Sequence, residues 1–307
     1  MRFWRALKPT ATRIEIMTTY LANYATRPLS ELRNKSAGLY FRFFLMYDGT
    51  MYLAIDIGAT KTLVAVFSKR GRVIRKIKFK TAQGSKTFLA DLTETLAEFK
   101  KYRISTIVVA IPGTVQKNYS VHFGNRAWDG IDIFTPIKNL FDCKIYFEND
   151  ANLAAIYESR KLPGRTVFLT FSTGLGGGVV QNGRIVPEFK DFEPGREKYV
   201  YNGKEMRWED IAAASSIEKA YHVDRATELR KRSMLQDIAA RIYLGLPDVA
   251  KKCAADTIVL GGPMGKIFQL YVRYIPKIPG VRLRKPKRPT ESVIYGCYLY
   301  AKTKEQE

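Results

Sequence analysis

The chain has 307 residues, of which 46% are hydrophobic, so it is long and apolar enough to fold around a large core. Its three cysteines are scattered with no CxxC spacing, which excludes a disulfide framework and a cysteine-rich metal site and favours a reducing, cytoplasmic location. The formal net charge of +22 favours polyanionic ligands. Apart from local runs such as 281–289, however, the basic residues are spread along the chain and do not predict a nucleic-acid-binding surface.

Residues 1–50 differ in pattern from the rest of the chain. Their hydrophobic periodicity is weak, and their apolar stretch, 39–47, is too short to span a bilayer and comes too late for a secretory signal. One interpretation is a disordered or gene-model extension, with Met51 as the natural start. The other is a helix-turn-helix, because residues 16–39 loosely resemble its first two helices, although little chain remains for a recognition helix.

From Met51 onward the sequence predicts alternating strands and helices. Three short β-rich runs joined by glycine turns indicate an antiparallel meander. Apolar residues at helical spacing over 86–102 then precede a buried strand, 104–113, and the strand-to-helix step repeats over 143–160. This order predicts an α/β fold.

The second half of the chain repeats this order. Its predicted segments are strands over 164–186, a long helical region over about 225–253, a strand at 256–262 and a closing helix around 292–302. Each half thus begins with apolar strands around a glycine turn and ends in helices. We therefore predict an α/β protein with two lobes, 51–158 and 159–307, and a ligand cleft between them.

Asp56, Gly58, Thr60 and Lys61 lie at the tip between the first two predicted strands. Glycine lets the backbone approach a ligand, and threonine and lysine donate to phosphate oxygens. An aspartate would repel phosphate unless a divalent cation such as Mg²⁺ joined the two. Taken alone, this turn fits a structural hairpin as well as it fits a phosphate loop.

Two further glycine turns follow. Thr173 and Gly174 begin the segment TGLGGGVV in the second half, and Gly261 and Gly262 end a strand where a helix should begin. The latter place suits close approach by a flat ring or a phosphate, although a plain strand-to-helix turn has the same pattern. One such turn is common, whereas one in each half indicates a shared phosphate ligand.

A polar run, Glu148, Asn149 and Asp150, follows another apolar strand at the start of a helix. Helix capping accounts for one of these residues. The carboxyl end of a strand in an open α/β sheet is also where ligands bind. A carboxylate at that place accepts a proton from a hydroxyl group.

These segments resemble the ROK family (repressors, uncharacterised open reading frames and sugar kinases) within the actin-like ATPase superfamily. The resemblance runs from Met51 to about Lys302 and rests on motifs in the family's order. They are DIGATKT, AIPGTV, NRAWDGIDI, ENDANLAA, STGLGGGVVQNGRIV and IVLGGPMG. The resemblance implies a two-lobed, ribonuclease H-like fold that closes over a sugar and a nucleotide, and it leaves a homodimer open.

The resemblance also implies a role for each matched residue. Asp150 would be the base that takes the proton of a hexose hydroxyl, with Asn149 and Asn125 holding other hydroxyls. Asp56 would face Mg²⁺ through water. The co-substrate ATP would lie among the glycine turns, with its phosphates at Gly58, Thr60, Lys61, Thr173 and Gly174 and its adenosine at Gly261 and Gly262.

The chain departs from the family pattern at the sugar site. Glu193 and Glu209 match sugar-contacting glutamates, but Arg196 stands where the family has a histidine. The histidine and cysteine cluster that binds structural zinc is missing from the sequence. Arginine would pair with Glu193, Glu209 or Asp150 and weaken the base by lowering its pKa, or would favour an anionic substrate.

The leading hypothesis is a carbohydrate kinase, glucokinase-like, that uses ATP and Mg²⁺ and needs no zinc. One alternative within the class is a polyphosphate-dependent glucokinase, suggested by the missing zinc element and the basic charge. A second alternative is a non-catalytic, sugar-responsive regulator that binds nucleic acid through residues 1–50, or a pseudokinase whose sugar pocket is spoiled by Arg196.

Overall fold

Two five-stranded β-sheets form the frame of the structure. The computed structural model describes residues 50–115, 120–123, 128 and 130–307. The expectations for residues 1–49 and for Asn125 lie outside the described residues. The chain from Thr50 to Glu307 forms one compact unit.

The first sheet contains the predicted meander and two parallel strands. Its strands, in spatial order and numbered along the chain, are β3 (Val73–Lys80), β2 (Lys61–Phe67), β1 (Met51–Ile57), β4 (Ile104–Ile111) and β8 (Lys144–Asn149). The meander prediction is confirmed, since β1 pairs antiparallel with β2, and β2 with β3. Strands β4 and β8 run parallel to β1. Strands β1 and β2 are buried on both faces, which explains their continuous apolar runs, whereas β3 is an edge strand.

Short elements and three helices complete the first half. They are β5 (Gly113–Val115), β6 (Ser120–Phe123) and β7 (Ile131–Asp132), which form a three-stranded sheet, and α1 (Ser85–Ala97), α2 (Phe134–Leu140) and α3 (Asp150–Ser159). Phe88, Leu92 and Leu96 recur every four residues on α1 and form its buried face. The predicted crossover helix is therefore confirmed.

The second sheet lies in the second half of the chain. Its strands, in spatial order, are β11 (Arg184–Ile185), β10 (Leu175–Gln181), β9 (Arg165–Phe171), β14 (Thr257–Gly261) and β15 (Arg282–Arg284). Strands β9 and β10 form an antiparallel hairpin, whereas β14 runs parallel to both of its neighbours. A separate hairpin pairs β12 (Lys198–Tyr201) with β13 (Lys204–Arg207).

The helices of the second half are short, apart from two. They are α4 (Trp208–Ala212), α5 (Ala214–Ala220), α6 (Arg232–Tyr243), α7 (Leu246–Lys252), α8 (Gly262–Lys266), α9 (Phe268–Tyr271) and α10 (Ser292–Gln306). The expected helical region over about 225–253 is present but is divided, because the chain breaks between α6 and α7. Gly245 lies at this break, where a Cβ would come within 2.6 Å of the Trp208 ring. Pro247, which lacks an N–H, follows in the first turn of α7.

Helices α3 and α10 pack on each other and join the two sheets. Helix α3 contacts β9 and β10, and α10 contacts β1 and β4. Helix α10 approaches α3 so closely that a Cβ at Gly296 would lie 1.9 Å from the Leu153 carbonyl oxygen. Strand β10 approaches α3 almost as closely, since a Cβ at Gly178 would lie 2.5 Å from the Ala151 carbonyl oxygen. Glycine at both positions therefore sets where α3, and with it Asp150, lies. The boundary between the lobes at 158 and 159 stays a prediction.

None of the helices in the described part of the chain is both long enough and apolar enough to cross a membrane.

Candidate active site

The first candidate phosphate loop joins β1 to β2. Asp56 is the next-to-last residue of β1, and the turn that follows it exposes Thr60 and Lys61. The N–H of Gly58 donates to the Lys61 carbonyl oxygen over 3.1 Å and closes the hairpin. A Cβ at Gly58 would lie 3.0 Å from the same oxygen, so the tight turn favours glycine.

Thr81, which directly follows β3, holds this loop from behind. Its N–H donates to the Thr60 carbonyl oxygen over 3.1 Å, and its hydroxyl donates to that of Gly58 over 2.8 Å. The buried hydroxyl of Thr62 lies 3.0 Å from the Thr81 hydroxyl. These bonds satisfy the loop's carbonyl groups and leave the side chains of Thr60 and Lys61 facing solvent.

The second candidate loop joins β9 to β10 and is held by α5. The N–H of Ser172 donates to the Gly174 carbonyl oxygen over 2.9 Å. Ser215 donates from its N–H to the Ser172 carbonyl oxygen over 3.1 Å and from its hydroxyl to that of Thr173 over 2.9 Å. The Thr173 side chain remains exposed. Ser215 therefore positions a loop that the sequence assigned to glycine and threonine alone.

The third loop lies where β14 ends and α8 begins, as predicted. Gly262 has a φ of +69°, a conformation that favours glycine, and a Cβ there would lie 2.3 Å from the Phe171 carbonyl oxygen. A Cβ at Gly261 would lie 2.2 Å from the ring of Phe168. Because β9 and β14 are parallel neighbours, their carboxyl ends meet at one edge of the sheet. The second and third loops therefore lie side by side.

Asn149 caps α3, and Asp150 is the first residue of that helix. The Asn149 side-chain oxygen accepts from the N–H groups of Ala151 and Asn152 at 2.9 and 3.2 Å, so the capping interpretation is confirmed. Its amide also donates to the Gly113 carbonyl oxygen over 3.3 Å. These contacts fix the start of α3 and leave the Asp150 carboxylate partly exposed.

Asn152 is a positioning residue that the sequence analysis missed. Its fully buried amide donates to the Glu148 carboxylate over 3.0 Å and to the Lys190 carbonyl oxygen over 2.8 Å. Glu148 also accepts from the Asn149 N–H over 2.9 Å. This network ties the segment before Glu193 to α3. A polar residue among the buried apolar residues of α3 was the available signal.

Asp56 and Asp150 lie close enough to influence each other. Burial raises the pKa of Asp56 to about 7, and the Asp150 carboxylate raises it too, whereas Lys78 lowers it. Burial also raises the pKa of Asp150 to about 7; the Ala151 N–H opposes this, and the Glu193 carboxylate adds to it. Carboxyls from β1 and α3 thus lie near each other in a poorly hydrated place, where Lys78 compensates only part of their charge.

Glu193, Arg196 and Glu209 form the other side of the candidate site. Burial raises the pKa of Glu193 and the Arg196 guanidinium lowers it, while Glu209 acts in the same direction as burial. Arg196 is exposed in a 3₁₀ turn, Pro194–Arg196. Three partners were expected for Arg196. The effect of its charge on the pKa of Glu193 supports Glu193 as that partner.

Glu209 links the sugar side of the site to the second loop. A Cβ at Gly174 would lie 3.0 Å from its Oε2 atom, so this carboxylate lies directly over the loop. Its Oε1 atom is 3.6 Å from the Arg207 guanidinium. The structure therefore places Glu209 beside the second loop. It also brings Asp56, Asp150, Glu193 and Glu209, which come from distant parts of the chain, near enough for each to influence the pKa of the next.

The carboxyl groups fit a magnesium ion better than zinc. Within the described residues, no three His, Cys, Asp or Glu side chains are placed to hold a metal together. Mg²⁺ does not need such a cluster, because it keeps several waters and uses one or two carboxylates with substrate phosphates. The predicted role of Asp56, which is partly exposed, toward such a cation stays a prediction.

Two comparisons with other sequences bear on identity. The ROK family pattern matches residues 52–188. A fructokinase from Lactococcus lactis subsp. cremoris is 29% identical over 155 residues, which are 48% of this chain and 52% of the relative, so the chain spans about half of that protein. An N-acetylmannosamine kinase from Yersinia pestis (strain Pestoides F) is 24% identical over 284 residues, covering 82% of this chain and 98% of the relative.

Solved structures share the fold at low sequence identity. A ROK hexokinase from Thermus thermophilus has a TM-score of 0.66 and 23% identity, covering 83% of this chain and all of its own. A ROK glucokinase from Streptomyces griseus, in complex with glucose and AMPPNP, has a TM-score of 0.67 and 18% identity over 82% of this chain and 99% of its own. An inorganic polyphosphate/ATP-glucomannokinase from an Arthrobacter strain has a TM-score of 0.65 and 18% identity, covering 83% of this chain and all of its own.

The resemblance seen in the motifs is thus confirmed, as is the predicted fold class. Residues 52–188 match the ROK family pattern, and the described chain shares the fold of solved ROK sugar kinases.

Proposed function

We propose that the protein is a sugar kinase that transfers the terminal phosphoryl group of ATP to a hexose hydroxyl. The observation that carries this proposal is the Asp150 carboxylate, partly exposed at the start of α3, with a pKa raised to about 7. Glu193 and Glu209 and the second glycine loop lie around it. The names of the relatives support a sugar as acceptor, and the AMPPNP in one structural neighbour supports ATP as donor.

In this mechanism Asp150 is the general base. Its carboxylate accepts the proton of the hexose hydroxyl as the hydroxyl oxygen bonds to the terminal phosphorus of ATP. The bond from that phosphorus to the bridging oxygen breaks, and ADP leaves with the electron pair. A pKa near 7 suits a base that must be ionised before the reaction and protonated after it.

The remaining residues position the reactants. Glu193, Glu209, Asn149 and Asn125 hold sugar hydroxyls, and the first and second loops hold the phosphates through Thr60, Lys61, Thr173 and the backbone at Gly58 and Gly174. Gly261 and Gly262 border the adenosine. Magnesium, held by Asp56 through water, would neutralise charge on the phosphates when bound. Such a reaction depends on alignment and charge neutralisation more than on covalent catalysis.

Turnover with ATP, Mg²⁺ and a panel of hexoses tests the proposal, with release of ADP as the readout. We expect Asp150→Asn to lower kcat by about 100-fold or more, because the base is lost while the shape is kept. Asp142→Asn is the matched control, since that carboxylate is fully exposed and pairs with Lys138. Equal turnover by the wild type and Asp150→Asn would remove Asp150 from this role.

The alternatives differ in what supports them. A regulator that binds DNA depends on residues 1–50, of which only Thr50 lies in the described part of the chain. A pseudokinase requires that Arg196 disable the sugar site, whereas its charge acts on Glu193, and the pKa of Asp150 stays near 7. We therefore favour an active kinase located in the cytoplasm.

A further inference from the structure

Four lysines follow one another on one face of the first sheet; we call Lys61, Lys80, Lys78 and Lys76 the lysine row. Lys61 pairs with Lys80, Leu63 with Lys78, and Ala65 with Lys76 across β2 and β3. Directly paired residues in antiparallel strands share a face. The antiparallel pairing of β1 with β2 places Asp56 directly opposite Leu63. The lysine row therefore lies on the face that carries Asp56.

This face is the one turned towards α3 and α10. Ala54, Leu63 and Ala65 belong to a core cluster that also contains residues of both helices. At the far end of the row, the Lys76 Nζ atom lies 2.6 Å from the carboxylate of Glu291, which directly precedes α10. The row thus runs from the first loop along the same side of the sheet as the candidate site.

Among the described residues, Lys61, Lys78 and Lys80 form no ion pair, in contrast to Lys76, although the charge of Lys78 acts on Asp56. All three side chains are exposed, and none of them forms an ion pair or hydrogen bond with a described side chain. Like charges directly opposite each other, as in the Lys61 and Lys80 pair, destabilise a sheet. Such an arrangement is explained if an anion occupies it.

The row continues the first loop rather than standing apart from it. Thr81, next to Lys80, bonds to Thr60 and Gly58 at the loop tip. Successive residues on one face of a strand are about 7 Å apart, so Lys78 lies about 7 Å beyond Lys80. A ligand with phosphates at Thr60 and Lys61 would need further phosphates to reach these lysines.

We propose that the lysine row binds the chain of an inorganic polyphosphate, with Lys80 and Lys78 contacting phosphates beyond those held at the first loop. Single-stranded nucleic acid fits the row less well, because its bases stack on aromatic platforms. Phe79, the aromatic residue of β3, is on the opposite face and stacks with Phe88, with ring centroids 6.5 Å apart. The proposal rests on the proposed kinase function for its biological sense, but the binding site stands on geometry alone.

Calorimetry with long-chain sodium polyphosphate tests the site directly. We expect the double variant Lys78→Gln and Lys80→Gln to bind polyphosphate about tenfold more weakly than the wild type. The matched control, Lys100→Gln with Lys144→Gln, removes the same charge from exposed positions outside the row and should change binding less than about twofold. Equal weakening in both double variants, or no binding by the wild type, would overturn the proposal.

Further arms separate the site from the kinase function. If duplex DNA binds as tightly as polyphosphate and is weakened equally by the row variant, the row is a general polyanion surface and the proposal is wrong. If ATP drives hexose phosphorylation but polyphosphate neither binds nor donates, the kinase function stands and the row proposal fails. If polyphosphate binding is lost only in the row variant while no hexose is phosphorylated by either donor, the row stands and the kinase function fails.

Discussion

At the scale of single residues, the raised pKa of Asp150 has a consequence for stability. Its folded-state pKa of about 7 lies above the ordinary value of 3.8, so the folded protein loses stability as pH rises from about 4 to about 7. Asp150→Asn removes this penalty. In metal-free buffer at pH 8 we expect the variant to raise the free energy of unfolding by roughly 4 kcal/mol at most, because each pKa unit is worth about 1.4 kcal/mol.

Urea denaturation at pH 8 and pH 4 measures this difference. Near pH 4 the gain should nearly vanish, because the wild-type carboxyl is then protonated in the folded state. A variant that is inactive and yet more stable at pH 8 separates a catalytic role from misfolding. A loss of stability at pH 8 would contradict the proximity of the poorly hydrated carboxyls of Asp56 and Asp150 on which the site is built.

Arg196 stands where the resemblance to the ROK family predicts a histidine. Burial raises the pKa of Glu193, and the Arg196 guanidinium partly offsets this and so favours the carboxylate form that accepts hydrogen bonds from a sugar. We expect Arg196→Ala to raise the KM for hexose about fivefold with kcat nearly unchanged. Steady-state kinetics measures both, with Arg230→Ala as an exposed control. A rise in kcat would mean instead that Arg196 weakens the base.

At the scale of elements, the contact between α3 and α10 determines where Asp150 lies. Gly296 leaves no room for a side chain against the Leu153 carbonyl oxygen. We expect Gly296→Ala to destabilise the fold by about 1–3 kcal/mol and to lower kcat, because α3 must shift. Gly84→Ala is the control, since its Cβ would meet Thr87 at an ordinary 3.7 Å. Thermal unfolding measures the change in stability. An unchanged stability of Gly296→Ala would contradict this packing.

Elements with a strong local pattern could be predicted from the sequence, and their mutual packing could not. The meander β1–β3 was predictable because its apolar runs and glycine turns are local signals. The break between α6 and α7 was missed, because Gly245 is required by contact with Trp208, which lies far away in the chain. The loops were predicted, but their supports, Thr81, Ser215 and Asn152, depend on contacts between elements that no spacing reveals.

At the scale of the whole molecule, the proposed site has loops from both sheets around one phosphoryl donor, opposite a carboxylate at the start of α3. The net charge of +22 adds long-range attraction for any such anion, which salt weakens. Specific binding at the loops should depend on particular residues from both sheets. Attraction by net charge alone should not depend on which residues carry the charge.

Calorimetry of a non-hydrolysable ATP analogue with Mg²⁺ tests this claim most directly, using Lys61→Gln in the first loop and Thr173→Ala in the second. We predict one site per chain for the wild type and an affinity at least about threefold weaker in each variant. Absence of binding by the wild type, or affinity unchanged in either variant, would contradict the shared site.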